Sequence, residues 1–445
     1  MGLNSFKRYT SSILFFLFIF YSIHNNSQAQ EKKTISSVQE AIALSLKNNS
    51  AIVTAYLNQM QTEEQVSEVY SENLIPSLKL NSRFTRTFKS QVFYIAGQQI
   101  QVGSDNGLTN TIDLTQSLPI LGTPIFSGIR IAEYFNEVQV ENINLAENDV
   151  KADVKKNYYT VLLAKSVVEV NRLTLENAQE NFNVVDARYR NGAATEFDYL
   201  RAKVRVDNSL PDLSKSERNF DISRKALINA IGLKDVQDIE VTGELTYDST
   251  EVWGNTNEMI NKISENYVTL RQLRITKKIN EELLNVSKAN YLPKISVFGQ
   301  YVLGSGENDG RPISDYRFYN TANAGLALSW DLNLFRNSFK VNQSEIQIKK
   351  SNEEIADTKQ KLKLLSQSAI IVLEDAKERI ISQVKTVSLA ERSVELANAS
   401  YRAGVINLID VQAAELSLSQ TRLAYLQAIY DYQTAKAELE RLLEK

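Results

Sequence analysis

Cysteine is absent from this chain of 445 residues, and its single histidine, His24, lies in a hydrophobic leader. Without cysteine there is no disulfide, no thiolate zinc site and no cysteine nucleophile. Once the leader is removed the chain has no histidine either, which excludes Ser-His-Asp hydrolysis and histidine-ligated metals. The sequence also lacks a Gly-x-Ser-x-Gly motif, a phosphate-binding loop and a carboxylate cluster with metal-ligand spacing. We therefore expect a protein that is not an enzyme and that binds no cofactor and no metal.

An excess of charge of one sign is also lacking, as are long apolar runs. The 50 Lys and Arg residues stand against 53 Asp and Glu residues, a formal net charge of −3, whereas nucleic-acid binding requires a basic surface. After the leader, no stretch reaches the ~18 consecutive apolar residues that a membrane-spanning helix needs. We expect neither a nucleic-acid partner nor a transmembrane helix.

The N-terminal segment 1–29 has the pattern of a secretory signal peptide. Lys7 and Arg8 supply its positive start, and residues 13–23 form its apolar centre. As a helix this centre would rise only ~17 Å, which is short of the ~30 Å hydrocarbon core that a membrane anchor must cross. Small residues at the −3 and −1 positions predict cleavage after Ala29. Since no cysteine follows, we expect no lipid anchor.

The few helix-breaking residues, 16 Gly and 6 Pro, are unevenly distributed along the chain. Neither occurs in residues 129–191, 336–403 or 405–445. A continuous helix over either of the first two segments would be ~95 Å long, whereas globular helices average about 11–12 residues. Segments of this length are typical of coiled coils or helical arrays.

The chain is internally duplicated. The sequence ARYRNG at residues 187–192 recurs as ASYRAG at residues 399–404, and an aspartate follows each copy at the same distance, Asp198 and Asp410. Each half has the same order: a helix, a strand pair that begins at a proline, a very long helix, a glycine turn and a returning helix. An internal repeat of this size indicates an architecture built twice from one plan.

The two segments that begin at Pro76 and Pro293 alternate apolar and polar residues with a period of two. The apolar positions are Leu78, Leu80 and Phe84 in the first segment, and Leu326, Leu328, Trp330, Leu332 and Leu334 at the end of the second. The pattern predicts membrane-barrel strands with apolar residues facing lipid, although a half-buried sheet on a soluble core would also show it. The polar insertions at 89–110 and 305–320 suit the external loops of such a barrel.

The C-terminal helix carries two apolar heptad series on nearly opposite sides. One runs through Val411, Leu418 and Tyr425, and the other, offset by two residues, begins at Ile409 and Leu416. Such a helix needs neighbours on both sides, as in a ring of helices, although burial in a large bundle is an alternative. Pro211 lies inside the first returning helix, where we expect a local bend.

Four strands per chain cannot close a membrane barrel, since the smallest barrels have about eight strands. Open strand edges are not tolerated in lipid, so copies of the chain must assemble, and closed cyclic assembly is the default. Two copies would form a barrel filled by side chains, whereas three could enclose a lumen. The long helices exceed the thickness of one bilayer several-fold, so they must project into an aqueous compartment.

The sequence resembles the TolC-type outer-membrane efflux proteins (outer membrane factors) over nearly the whole mature chain. The resemblance is carried by the two Tyr-Arg-x-Gly turns, by the aspartate that follows each turn, and by the two strand pairs that begin at a proline. The resemblance implies a mainly α fold with a membrane β part. Duplicated long-helix coiled-coil hairpins would form a trimeric α-barrel, continuous with a twelve-stranded β-barrel to which each chain gives four strands.

The same resemblance implies a function. The homotrimer would be a passive exit duct in contact with outer-membrane lipid, with a large periplasmic portion. It would work in a tripartite efflux or type I secretion system with a periplasmic adaptor and an inner-membrane pump of RND, ABC or MFS type. A trimeric coiled-coil envelope spacer or adhesin without a conducting pore is the alternative, but it leaves the duplicated strand pairs unexplained.

In this family the two glycine turns lie at the periplasmic tip, and the resemblance assigns roles there residue by residue. The gate and selectivity residues would be Asp198, Tyr401 and Asp410. The turns that contact the adaptor would include Tyr189, Gly192, Tyr401 and Gly404. The sequence departs from a well-studied family member at Ile406, where that protein has a gating arginine, and at Ala413, where it has a second ring aspartate. A plainer interpretation makes the aspartates helix-capping residues and the tyrosines packing residues.

These observations predict an order of segments along the chain. They are a signal peptide (1–29), a periplasmic helix (30–75), a first outer-membrane strand pair (76–127), a first long helical hairpin (128–232), an equatorial linker (233–256), a second periplasmic helix (257–292), a second strand pair (293–337) and a second long helical hairpin (338–445).

Overall fold

The computed structural model describes residues 33–120, 124–250, 253–308 and 311–444. The expected signal peptide lies outside the described residues. The helices are α1 (Val38–Asn48), α2 (Ser50–Leu74), α3 (Ile125–Arg190), α4 (Glu196–Ile231), α5 (Thr256–Asn266), α6 (Val268–Ala289), α7 (Leu334–Arg402) and α8 (Leu408–Leu443). The strands are β1 (Lys33–Ile35), β2 (Ser77–Arg86), β3 (Gln91–Ile95), β4 (Gln98–Val102), β5 (Asn106–Ser117), β6 (Ile239–Val241), β7 (Lys294–Glu307) and β8 (Phe318–Ser329).

The duplicated order predicted from the sequence is present. The first half runs through α2, the strands β2 and β5, α3 and α4, and the second half runs through α6, the strands β7 and β8, α7 and α8. The two long helices, α3 and α7, have 66 and 69 residues, and each packs along the helix that returns from it. Pro211 lies inside α4, which continues past it to Ile231. Among the described residues, no helix is both long and apolar enough to cross a membrane.

The strands β2, β5, β7 and β8 form one antiparallel sheet in that order. Each chain therefore supplies four strands, as expected, and the sheet ends in two edges, one on β2 and one on β8. One face carries a polar row, in which Lys79 pairs with Asp113 and Asp113 pairs with Gln300. The next row, on the opposite face, is apolar and includes Leu80, which pairs with Ile112. This separation of polar and apolar faces is typical of a membrane barrel wall.

The last strand ends earlier than the apolar alternation predicts. β8 stops at Ser329 and α7 begins at Leu334, so Leu332 and Leu334 do not belong to a strand. The reason is local polar chemistry, because the Asp331 carboxylate accepts a hydrogen bond from the Asn333 amide at 3.2 Å. Such an aspartate turn competes with strand pairing, and it starts α7 four residues before the predicted position.

The first polar insertion contains a second hairpin, which the sequence analysis did not predict. β3 and β4 pair antiparallel around Ala96 and Gly97, whose φ values are +51° and +81°. Two successive positive φ angles are typical of the type I′ turn that closes two-residue hairpins. β5 also begins at Asn106, inside the insertion 89–110 that was expected to be an external loop, and it pairs with β2 from there.

The main core lies midway along the molecule, where the ends of α1, α4 and α8 meet the middle of α3 and α7. The short parallel pair of β1 and β6 covers it. Its fully buried side chains include Val154, Val161, Leu227, Ile231, Leu270, Ile380, Leu439 and Leu442. Ion pairs border this core: the Arg271 guanidinium contacts Glu141 at 2.8 Å and Glu444 at 3.0 Å. The core thus joins both halves of the duplicated chain.

Candidate functional site

Both long helices end in the same turn at the end of the hairpins, which we call the tip. At the end of α3 the Ala193 amide donates to the Arg188 carbonyl at 2.8 Å, and at the end of α7 the Val405 amide donates to the Ser400 carbonyl at 2.9 Å. These bonds define Schellman caps, which need a left-handed residue after the last helical one. Gly192 and Gly404 supply it, with φ values of +73° and +74°.

The returning helices have Thr195 and Asn407 as N-cap residues, and each bonds to the aspartate three residues later. At α4 the Asp198 amide donates to the Thr195 hydroxyl oxygen at 3.1 Å, and the Thr195 hydroxyl donates to the Asp198 carboxylate at 2.7 Å. At α8 the Asn407 amide donates to the Asp410 carboxylate at 3.1 Å, which is half of a complete capping box. Both aspartates therefore stabilise helix starts. Asp410 remains exposed to solvent, while Asp198 is half-buried.

The tip tyrosines make packing contacts. The Tyr189 ring stacks on Tyr199 with ring centroids 5.1 Å apart. The Arg188 guanidinium lies over the Tyr401 ring, 4.7 Å from its centroid. Around them Val185, Ala202 and Leu408 form a small buried cluster that joins the two turns. The two hairpins of one chain are thus fixed to each other at the tip as well as at the main core.

A cleft lies between the two turns. It brings Asp198, Tyr401 and Gly404 together, and it is also lined by Arg188, Arg201 and Ile406. The other predicted tip residues, namely Tyr189, Gly192 and Asp410, lie outside its lining. The resemblance places a gating arginine at position 406, where this chain has isoleucine, but the structure puts two other guanidinium groups in the same cleft. Sequence reasoning missed both, although Arg188 stands inside the repeated motif, where the second copy has Ser400.

A second polar cavity lies further along the hairpins, between α3, α7 and α8. The Asn181 side-chain amide donates to the Glu415 carboxylate at 2.8 Å, and Asn177, Glu180, Asn398 and Arg402 complete the lining. Burial raises the pKa of Glu415 above its ordinary value, against the opposing effects of the Asn181 hydrogen bond and the Arg205 charge. Nothing in the sequence marks Glu415, because charged residues are common along coiled-coil helices. In the part of the chain that the structure describes, no group of His, Cys, Asp or Glu could hold a metal ion.

Comparison with known proteins identifies the architecture. A family model described as outer membrane efflux protein matches residues 41–233 and 259–444, one block for each half of the duplicated chain. The chain belongs to this family. It is similar to the cobalt-zinc-cadmium resistance protein CzcC of Cupriavidus metallidurans, with 24% identity over 75% of this chain and 77% of that protein. It is also similar to the outer membrane protein TolC of Vibrio cholerae, with 20% identity over 65% of this chain and 66% of that protein.

Solved structures confirm the predicted fold class. The CmeC outer membrane channel of Campylobacter jejuni superposes with a TM-score of 0.76 at 15% identity, covering 95% of this chain and 92% of that one. The open state of the MtrE channel of Neisseria gonorrhoeae superposes with a TM-score of 0.73 at 18% identity, covering 94% and 95%. The protein is therefore an outer-membrane channel protein with a large periplasmic portion, and it is not an enzyme.

Proposed function

We propose that three copies of this chain form the exit duct of a tripartite efflux or type I secretion system. The observation that carries the proposal is the four-stranded sheet with open edges on β2 and β8. In lipid, unpaired backbone groups on those edges would cost several kcal/mol each, so the edges must be paired. Pairing β8 of one copy with β2 of the next closes a ring, and three copies give twelve strands around a lumen.

The helices support the same ring. Apolar side chains are exposed along the outer sides of the hairpins, and they include Leu200, Val204 and Ile222 on α4, Leu364, Ile371 and Leu389 on α7, and Ile409 and Leu416 on α8. Ile409 and Leu416 belong to the second heptad series of α8, while the first series is buried within the chain at Val411 and Tyr432. Neighbouring copies in a closed α-barrel would cover the exposed series.

At the tip, we propose that the two turns contact a periplasmic adaptor through Tyr189, Gly192, Tyr401 and Gly404. Two apolar side chains beside the turns support this surface, since Val405 is 76% exposed and Phe197 is 63% exposed. Apolar groups left in water at the end of a long rod are suited to a protein partner. The adaptor would connect the duct to an inner-membrane pump of RND, ABC or MFS type, which supplies the energy.

Threefold symmetry would bring three Asp410 carboxylates together at the tip, where they would favour cations. Asp198 and Tyr401, which share the cleft with Arg188, would hold the turns in the closed position. The names of the relatives connect one of them to cobalt, zinc and cadmium and another to nodulation, and they point to no single cargo. The duct would pass what its pump delivers.

Conductance of the purified protein in planar lipid bilayers tests the proposed duct. We expect defined channels from a particle with the mass of three chains. A particle that forms no channels would instead be the spacer or adhesin that the long helices also allow.

Export assays in cells test the tip. Gly404→Val places a β-branched residue at a φ of +74°, which disfavours the turn. We expect lost export with normal amounts of trimer in the outer membrane. Gly128→Val is the matched control, because Gly128 has an ordinary φ and open space around it. Equal export by both variants would contradict a role of this turn.

A further inference from the structure

We propose that the lumen of the β-barrel is an anion-favouring filter, formed by Lys79, Arg83 and Lys294. This filter has the opposite sign to the carboxylates at the tip. The inference rests on the proposed trimeric duct, and it assigns ion-selectivity residues to the membrane end of that duct.

The first step assigns the two faces of the barrel sheet. Cross-strand partners share a face, and one row crosses all four strands, joining Lys79, Asp113, Gln300 and Asn323. The neighbouring row on the other face joins Leu80, Ile112, Tyr301 and Ala322. Because lipid takes the apolar face of a barrel strand, the polar face borders the lumen.

The second step counts the charges on each face. Strands β2, β5, β7 and β8 contain six charged residues. Alternation along the strands puts Lys79, Arg83, Lys294 and Asp113 on the lumen face. The other two, Arg86 and Glu307, lie on the opposite face in a single row at one end of the sheet, where both pair with Asn106. The lumen face therefore has three cations against one carboxylate, and the lipid face has no net charge.

The single carboxylate of the lumen face lies opposite Lys79 on β2, and its hydrogen bonds come from neutral side chains. Asp113 accepts hydrogen bonds from Gln300 at 2.7 Å, Asn81 at 3.0 Å and Thr111 at 3.3 Å. These contacts between side chains of three strands support the assignment of the face, because only residues on one face can reach each other in this way. Lys79, Arg83 and Lys294 are exposed, and none of them forms an ion pair with another described residue. Their charges are therefore directed at the lumen.

The aromatic residues of the lumen face leave these cations accessible. The Phe298 ring lies on Gly325, where an added Cβ would come within 3.2 Å of it, and the Tyr319 ring lies on Gly304, where an added Cβ would come within 2.7 Å. Each ring therefore occupies the space that a side chain would fill at the glycine opposite it, and it lies against the sheet. The long cationic side chains on the same face are exposed.

In a trimer the lumen would carry a net excess of six positive charges. At ~0.1 M salt the screening length is ~10 Å, and low-dielectric walls focus the field. Anions would be concentrated in the barrel and cations at the Asp410 ring. A small ion of either sign would meet a ring of its own sign on the way through, so the duct would leak fewer salt ions than a neutral pore of the same width.

Reversal potentials in a KCl gradient across planar bilayers test the filter. For the double variant Lys79→Gln and Arg83→Gln we expect the K⁺ to Cl⁻ permeability ratio to rise about twofold, a modest change because salt screens the lumen. Asp113→Asn should move the ratio in the opposite direction. Arg86→Gln is the matched control, since it removes a cation from the same strand on the lipid face, and it should leave the ratio unchanged.

The outcomes separate this inference from the proposed duct. Channels with wild-type selectivity in the double variant would overturn the filter and leave the duct intact, and so would an equal shift in Arg86→Gln. Absence of channels in the wild type would overturn both. Lys294→Gln, at the other end of the lumen face, provides a second test if the double variant does not assemble, and it should shift the ratio in the same direction.

Discussion

Glu415 is a side chain whose surroundings oppose its charge. It lies on α8 in a polar cavity, and burial raises its pKa even though Asn181 donates a hydrogen bond to it. A carboxyl group whose folded-state pKa exceeds its unfolded value, about 4.3 for glutamate, stabilises the fold at low pH. That contribution is lost as pH rises through the folded-state pKa. At neutral pH the ionised group therefore lowers the free energy of unfolding.

We expect Glu415→Gln to raise the thermal midpoint at pH 7.5 by about 2 °C, the shift that about 1 kcal/mol produces in a large chain. Glutamine can still accept the hydrogen bond from Asn181, and it removes the charge. The difference should disappear near pH 4, where the native carboxyl is protonated as well. Glu176→Gln, at an exposed position on α3, is the control. A variant less stable than the native protein at both pH values would contradict this account.

Asp410 combines two roles that substitutions can separate. Its carboxylate caps α8, and in the proposed trimer its charge faces its two symmetry copies. Asp410→Asn keeps an acceptor for the Asn407 amide and removes the charge, so block of the channel by trivalent cations should weaken with stability preserved. Asp410→Ala should weaken block and also remove the hydrogen bond from the Asn407 amide, at a cost of about 0.5–1.5 kcal/mol. Unchanged block in both variants, measured in bilayers, would remove Asp410 from the selectivity site.

At the scale of elements, the glycine at the end of α4 fixes how that helix meets α1. Gly232 has a φ of +83°, and a Cβ there would lie 2.6 Å from the Asn48 carbonyl oxygen. Gly232→Ala must therefore bear backbone strain and displace the end of α1, which together cost at least about 1–3 kcal/mol. Thermal unfolding should show a clear loss relative to Gly128→Ala, where no atom lies within 4 Å of the added Cβ. Equal stability of the two variants would contradict this, because it would show that the end of α1 can move away from position 232 without a cost in stability.

The elements themselves show which parts of the fold a sequence can predict. The long helices and their turns follow from where Gly and Pro are absent, and the sheet follows from strict alternation. The end of β8 was mispredicted because apolar alternation continues through Leu332 and Leu334, while the Asp331 turn chemistry ends the strand. The tip cleft could not be predicted, because Arg188 and Tyr401 meet only when helices distant in sequence pack together. The burial of Glu415 could not be predicted for the same reason, because it depends on contact between α8 and the distant helix α3.

At the scale of the whole molecule, one chain leaves strand edges and apolar helix surfaces uncovered. Its core and its small tip cluster fix the two hairpins of one copy to each other, but its sheet has two free edges and its helices keep exposed apolar series. In the proposed trimer, another copy of the same chain covers each of these surfaces.

Disulfide cross-linking across the β2 and β8 edges tests this closure most directly, because the native chain has no cysteine. Leu80→Cys on β2 would be combined in turn with single cysteines along β8, at the lipid-face positions Ala322, Ala324 and Leu326. We expect at least one pair to give covalent trimers in the membrane and nothing larger, with no cross-link from either cysteine alone. Products that stop at the monomer, or a ladder that continues beyond three copies, would contradict a closed trimeric barrel.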